Sequence, residues 1–103
     1  MTNQNQYRAK VFKALADPLR LEILLFLGEN EKCVCEIVEQ LDIVQPLISR
    51  HLKILRESGL IHGRKMGNKR LYKVAERKVL RMISDLNLDF LSRITERIIQ
   101  EAI

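Results

Sequence analysis

Two cysteines separated by one residue, Cys33 and Cys35, are the side chains of this sequence best suited to bind a soft ion. The apolar periodicity around them predicts a helix over 33–41, so both lie in its first turn. The positive end of a helix dipole favours thiolate, and thiolates bind soft ions such as As(III), Cd(II) or Pb(II). Two cysteines at this spacing do not form the disulfide framework of a secreted mini-protein. We therefore expect reduced thiols and a metal site formed by Cys33 and Cys35.

Two other interpretations of the cysteine pair remain open. A disulfide between neighbours at this spacing would close a small strained ring that is comparatively easy to reduce. The pair could therefore act as a redox or sulfur sensor. Alternatively, the two residues could simply be small apolar side chains at the start of a helix, without any sensory role.

The elements that must position the cysteines are mostly helical. Apolar residues at helical spacing predict four helices, over 7–16, 18–27, 33–41 and 45–58. Asp17 and Pro18 are expected to start the second helix, and Gly28 to end it. The third and fourth are joined by a short turn, which makes 33–58 a helix-turn-helix. Residues 1–6 are polar and expected to be disordered.

The second half of the sequence predicts a β-hairpin and a long helix. Over 60–74 the apolar period changes from about 3.6 to about 2 residues, with Gly67 and Asn68 as a two-residue turn. We call this hairpin the wing. Over 77–103 the helical period returns, with an apolar stripe too long for one small domain to cover, so this helix is expected to form a homodimer.

These elements predict a mainly α (α+β) fold, a winged helix-turn-helix. Its expected order is α-α-α-α-β-β-α, with five helices and a two-stranded hairpin wing. The 103 residues are expected to form a single domain, 1–103, because single cores typically occupy about 100–150 residues.

The distribution of charge predicts a nucleic-acid partner. The net charge is +5. Between residues 28 and 43 there are five acidic residues and one lysine, whereas between 44 and 73 there are eight basic residues and one glutamate. A helix can enter the major groove of DNA when its outward face carries hydrogen-bonding side chains and its flanks neutralise phosphates. The fourth helix and the wing meet both conditions.

The predicted DNA-binding residues fall into two groups. Residues in the first turns of a recognition helix usually meet base edges, and basic residues of a wing reach phosphate or the minor groove. In the fourth helix the candidates are Gln45, Pro46, Leu47, Ser49, Arg50, His51 and Lys53. For His51, a phosphate contact and a local hydrogen bond are equally open. In the wing the candidates are Arg64, Lys65, Asn68, Lys69 and Arg70.

The sequence also bears on location and on other functions. No apolar stretch approaches the roughly 20 residues needed to cross a bilayer, and the start lacks the apolar segment of a secretory signal, so a cytoplasmic protein is expected. We find no nucleophile-base pair and no glycine-rich phosphate loop, and therefore expect no enzyme. A protein-interaction or metal-chaperone module that reuses the winged fold remains an alternative to DNA binding.

Two segments carry a family resemblance. Residues 17–24 read DPLRLEIL, and residues 45–60 read QPLISRHLKILRESGL. Both closely resemble the ArsR/SmtB metalloregulators, and the resemblance covers about residues 7–100. Val44 stands where many relatives have Ser, and Leu47 where many have Thr or Ala, which leaves the operator sequence open.

The resemblance implies a transcriptional repressor. It implies a homodimer built from the first and last helices, binding to double-stranded operator DNA without a cofactor, and release when an inducer binds. Residues 32–38 resemble the arsenic/antimony or cadmium/lead box of the family. In the arsenic version a third cysteine follows, and Val38 occupies that place here. The chain therefore offers two thiols to As(III), Sb(III) or another soft metal ion.

Overall fold

A computed structural model describes residues 3–102, and within them six helices and three strands follow one another. The helices are α1 (Gln4–Leu15), α2 (Pro18–Leu27), α3 (Val34–Leu41), α4 (Gln45–Glu57), α5 (Arg77–Asp85) and α6 (Leu88–Ala102). The strands are β1 (Lys32–Cys33), β2 (Ile61–Met66) and β3 (Lys69–Val74). The predicted mainly α, winged helix-turn-helix fold is confirmed.

Local capping residues set the ends of the first two helices. The Asn3 side chain accepts a hydrogen bond from the Asn5 amide at 2.9 Å, and α1 begins three residues earlier than predicted. The expected disorder is therefore wrong for residues 4–6, whereas residues 1 and 2 lie outside the described part.

Asp17 caps α2, because its side chain accepts hydrogen bonds from the amides of Leu19 and Arg20. These hydrogen bonds lower the pKa of the Asp17 carboxyl, and the one from Arg20 has the larger effect. The predicted bounds of α2 agree with the structure.

The wing belongs to a three-stranded antiparallel sheet. Its strands β2 and β3 are joined at Gly67, whose φ of 63° suits a glycine in a tight turn. The short strand β1 adds to the other edge of β3, pairing Lys32 with Tyr72 and Cys33 with Leu71. The sequence analysis placed Cys33 in a helix, because a two-residue strand that pairs with a distant segment leaves no periodic pattern.

The predicted last helix is divided into α5 and α6. Its continuity ends at Leu86, and the side chain of Asn87 accepts a hydrogen bond from the Phe90 amide at 3.0 Å. Asparagine is a preferred N-cap residue, so a new helix begins at this point. Residue 103 of the predicted helix lies outside the described part.

The core lies between the helix-turn-helix, α2 and the sheet. Its largest fully buried side chains are Ile23, Leu24, Leu27, Ile37, Ile48, Leu52, Leu55 and Ile61. α6 contributes none of these residues, and several of its apolar side chains are exposed. No helix within residues 3–102 combines the length and the apolar character needed to cross a membrane.

Candidate nucleic-acid interface

The packing of α4 determines which of its side chains can meet a ligand. Ile48, Leu52 and Leu55 are fully buried, so the opposite face of the helix points outward. That outward face carries the exposed residues Gln45, Pro46, Ser49, Arg50 and Lys53. Leu47 is half-buried at the edge of this face. The polar and basic side chains predicted to meet DNA are thus accessible together on one helix.

The wing presents a second set of accessible polar side chains. Lys65, Asn68, Lys69 and Arg70 are all exposed. Lys65 lies directly opposite Arg70 in the β2–β3 pairing. Like charges at opposed positions repel each other, and a bound polyanion would relieve that repulsion. The wing is therefore suited to phosphate.

A cleft of about 320 Å³ joins the start of α4, the wing and the cysteine pair. We call it the cysteine cleft. Its lining residues are Cys33, Val34, Cys35, Gln45, Ser49, Asn68, Lys69, Arg70 and Tyr72. Candidate sensor residues and five of the predicted DNA-binding residues therefore lie around one opening. The sequence placed these residues on three separate elements.

Cys33 connects the sheet to α3. Its sulfur accepts a hydrogen bond from the Glu36 amide at 3.3 Å, and the Glu36 carboxylate accepts one from the Cys33 amide at 3.0 Å. This reciprocal pair is a capping box, with cysteine in the place that Ser or Thr usually takes. Cys33 is buried and Cys35 is exposed, so the pair lies at the boundary between core and solvent.

The two cysteines form a disulfide in this structure, where the sequence analysis expected reduced thiols. Cys33 has extended backbone dihedrals as the N-cap of α3, so the two side chains need not diverge as they would within a helix. The Cα atoms are 5.3 Å apart, well within the range for a disulfide. Within residues 3–102 no group of three or more His, Cys, Asp or Glu side chains could hold a metal ion.

Arg64 forms an ion pair with an acidic residue, and its predicted phosphate contact stays a prediction. Its guanidinium donates two hydrogen bonds to Glu31, at 2.7 and 2.8 Å. The pair lowers the pKa of Glu31 and raises that of Arg64, in both cases chiefly through this hydrogen bonding. Because Glu31 directly precedes β1, the ion pair ties the cysteine segment to the wing. Sequence alone could not show which acid a basic residue would meet.

His51, another predicted DNA-binding residue, is buried. Its side chain is only 8% exposed, and its Nδ1 lies 3.1 Å from a guanidinium nitrogen of Arg20. Arginine can only donate, so Nδ1 is the acceptor and the ring proton of a neutral His51 lies on Nε2. Arg20 also donates to the carbonyls of Ala14 at 2.6 Å and Lys13 at 3.3 Å. The local hydrogen bond, one of the two roles open for His51, is present in the structure, and the phosphate contact stays a prediction.

Comparison with known proteins supplies the family. A family model described as bacterial regulatory protein, arsR family, matches residues 17–62. The solution structure of a homodimeric winged helix-turn-helix DNA-binding domain from Mycobacterium bovis, described as a possible ArsR-family regulator, is 30% identical with a TM-score of 0.74. That match covers 82% of this chain and 84% of the other. The chain belongs to the ArsR family.

Two curated relatives carry functional names. The transcriptional repressor SmtB of Mycobacterium tuberculosis is 40% identical over 76 residues, which is 74% of this chain and 56% of the relative. The arsenical resistance operon repressor of Escherichia coli is 56% identical over 59 residues, which is 56% of this chain and 50% of the relative. The chain thus spans about half the length of these relatives. ArsR-family proteins are DNA-binding transcriptional regulators and not enzymes, as predicted.

We predict that Arg20→Lys weakens the attachment of α4. Lysine keeps the charge, but its ammonium group cannot reproduce the geometry in which one planar guanidinium donates hydrogen bonds to His51 and two carbonyls. The free energy of unfolding should therefore fall by about 1–3 kcal/mol. Chemical denaturation measures this. The matched control is Arg56→Lys, an exposed position on α4. Equal stability of the two variants would show that the Arg20 network contributes nothing.

Proposed function

We propose that this ArsR-family chain is a repressor that binds operator DNA as a homodimer and leaves it when a soft ion binds Cys33 and Cys35. The observation that carries the proposal is the cysteine cleft, because sensor and DNA-binding side chains share its walls. Residues 1–103 act in this proposal as one DNA-binding domain. Since operator DNA lies in the cytoplasm, the proposed function places the chain there.

DNA reading is assigned to α4, with the wing beside it. In the proposed complex Gln45, Ser49 and Arg50 meet base edges in the major groove, where an arginine can donate two hydrogen bonds to guanine. Lys53 and the exposed basic side chains of the wing neutralise phosphates. Lys53 lies 4.0 Å from Glu57, but both side chains are largely exposed, so the contact is weak and leaves the lysine available.

Dimer formation is assigned to α1 and α6. Tyr7 and Phe12 are exposed on α1. α6 adds a row of exposed apolar side chains, namely Leu88, Leu91, Ile94, Ile98 and Ile99. Apolar surface of this extent is typical of an interface, and the neighbour from Mycobacterium bovis is described as homodimeric. A two-fold dimer would present two copies of α4 to successive turns of one DNA face.

Soft-ion sensing is assigned to the reduced cysteine pair. The sulfurs bond to each other in the structure, so after reduction both can turn toward a single ion at the start of α3. Trivalent arsenic or antimony accepts thiolate ligands, and one relative is named as an arsenical resistance operon repressor. Val38 packs half-buried against the core where the arsenic box of the family has its third cysteine.

A redox-responsive repressor is the second candidate function. The disulfide between Cys33 and Cys35 favours it, because oxidation alone would alter the residue that caps α3 and pairs with β3. The two candidates use the same sulfurs and differ in the signal. Soft ions require the dithiol, whereas an oxidant consumes it.

The DNA-binding face predicts two different mutational signatures. Arg50→Ala should reduce the preference for operator over random DNA by about 1–3 kcal/mol, because a base contact is lost.

Lys69→Ala should weaken binding to all DNA alike, because a phosphate contact is lost. The slope of log affinity against log salt concentration should become shallower by about one unit. Fluorescence anisotropy at several salt concentrations measures both. If both variants bind like the parent, α4 and the wing have been assigned the wrong role.

The assignment of α6 predicts that substitution of a single exposed residue dissociates the dimer. Ile98→Glu should shift the sedimentation of the protein at tens of micromolar from dimer to monomer, because a carboxylate would be buried in an apolar interface. The matched control is Arg97→Glu, which changes an exposed charged neighbour to the same residue. A parent protein that is monomeric at this concentration, or an Ile98→Glu variant that remains dimeric, contradicts the assignment.

The sensor assignment predicts that replacing both cysteines by serine separates binding from response. The double variant should bind operator nearly as well as the reduced parent but ignore arsenite. In the parent, arsenite should weaken operator binding by about 5–150-fold, the scale of typical allosteric coupling. With a free soft cation such as Cd(II) the effect should increase as pH rises, because each thiol must lose a proton to bind. A double-serine protein that still leaves DNA on adding arsenite would place the sensor elsewhere, and release of the parent by peroxide alone would favour the redox candidate.

A further inference from the structure

We propose that the cysteine cleft binds a small thiol carrying a carboxylate, and that this thiol supplies the third sulfur to an arsenic held by Cys33 and Cys35. The inference rests on the proposed function, because it extends the same dithiol. The second ligand is an anionic thiol. The inducer is then the complex of arsenic with that thiol.

The chain's own cysteines provide two of the three sulfurs that trivalent arsenic can bond. Val38 occupies the place of a third cysteine, and it packs half-buried against the core, on α3. Cys35, in contrast, is exposed and lines the cysteine cleft. A ligand on the open coordination position would therefore occupy the cleft.

The walls of the cleft select the charge of that ligand. Its charged lining residues are Lys69 and Arg70, and no carboxylate is among the described residues that line it. Gln45, Ser49 and Asn68 add neutral hydrogen-bonding groups. The volume of about 320 Å³ lies at the lower end of the range for small-molecule sites. A short thiol with a carboxylate at its other end fits this combination of size and charge.

The chemistry balances without any change in the oxidation state of arsenic. Reduction of the Cys33–Cys35 disulfide takes two electrons and two protons from a reductant. Arsenous acid then exchanges its three hydroxyl groups for sulfur. Each of the three thiols gives up one proton, which leaves with a hydroxyl as water, so three As–S bonds form and three waters are released.

The arrangement also explains how an inducer could compete with DNA. The carboxylate of the bound thiol would take up Lys69 and Arg70, the same wing residues that the proposed function assigns to phosphate. Release would then include direct competition for the wing, in addition to any distortion of the start of α3.

The test is a titration of the reduced protein, freed of reductant, with arsenite in excess 3-mercaptopropionate, which is anionic, or excess 2-mercaptoethanol, which is neutral. Ultraviolet absorbance of the As–S bonds gives the affinity, and native mass spectrometry gives the composition of the adduct. We expect about fivefold tighter arsenite binding with the anionic thiol, the scale of partly screened ion pairs. The adduct should contain one arsenic and one added thiol per subunit.

Paired variants separate the role of the cleft from intrinsic differences between the two thiols. Lys69→Gln with Arg70→Gln should remove the preference for the anionic thiol while arsenite binding persists. The matched control, Lys53→Gln with Lys65→Gln, removes the same charge outside the cleft lining and should keep the preference. Equal affinities with both thiols in the parent, or a preference that survives Lys69→Gln with Arg70→Gln, overturns the inference and leaves the dithiol sensor standing. Failure of the parent to bind arsenite with either thiol overturns soft-ion sensing itself.

Discussion

Burial of the inner face of α4 is the constraint on which the remaining surface depends. Ile48, Leu52 and Leu55 are fully buried, and each such side chain contributes about 1.5–3 kcal/mol through the hydrophobic effect. Because these three positions fix the rotation of the helix, they also fix the outward direction of Arg50 and Lys53. Arg20 adds a polar attachment by joining His51 of α4 to the last turn of α1.

Cys33 occupies the point where the proposed sensing and the proposed DNA binding would be coupled. It caps α3 through its sulfur, pairs with Leu71 through its backbone, and lines the cleft beside α4. The bidentate pair of Glu31 and Arg64 holds the preceding residues against the wing. A change at the sulfur would therefore act on a capping hydrogen bond, a strand pairing and the proposed DNA-binding face without having to cross the core.

Sequence reasoning succeeded where the signal was local. Asp17, Pro18 and Gly28 lie within one helix length of each other and predicted both ends of α2. Reasoning failed where the deciding partner is distant: the pairing of β1 with β3, the acid bound by Arg64 and the burial of His51 depend on contacts across the fold. The break before α6 was different, because Asn87 is a preferred N-cap residue and its signal was hidden by a continuous apolar stripe.

The central claim is that one face, formed by α4 and the wing beside the cysteine pair, binds operator DNA. Amide chemical shifts of the ¹⁵N-labelled, reduced protein titrated with operator DNA would test it most directly. The account predicts the largest shifts at residues 45–53 and 65–70 and around the cysteines, with small shifts along the exposed face of α6. Shifts concentrated on α6, with α4 and the wing unchanged, would contradict it.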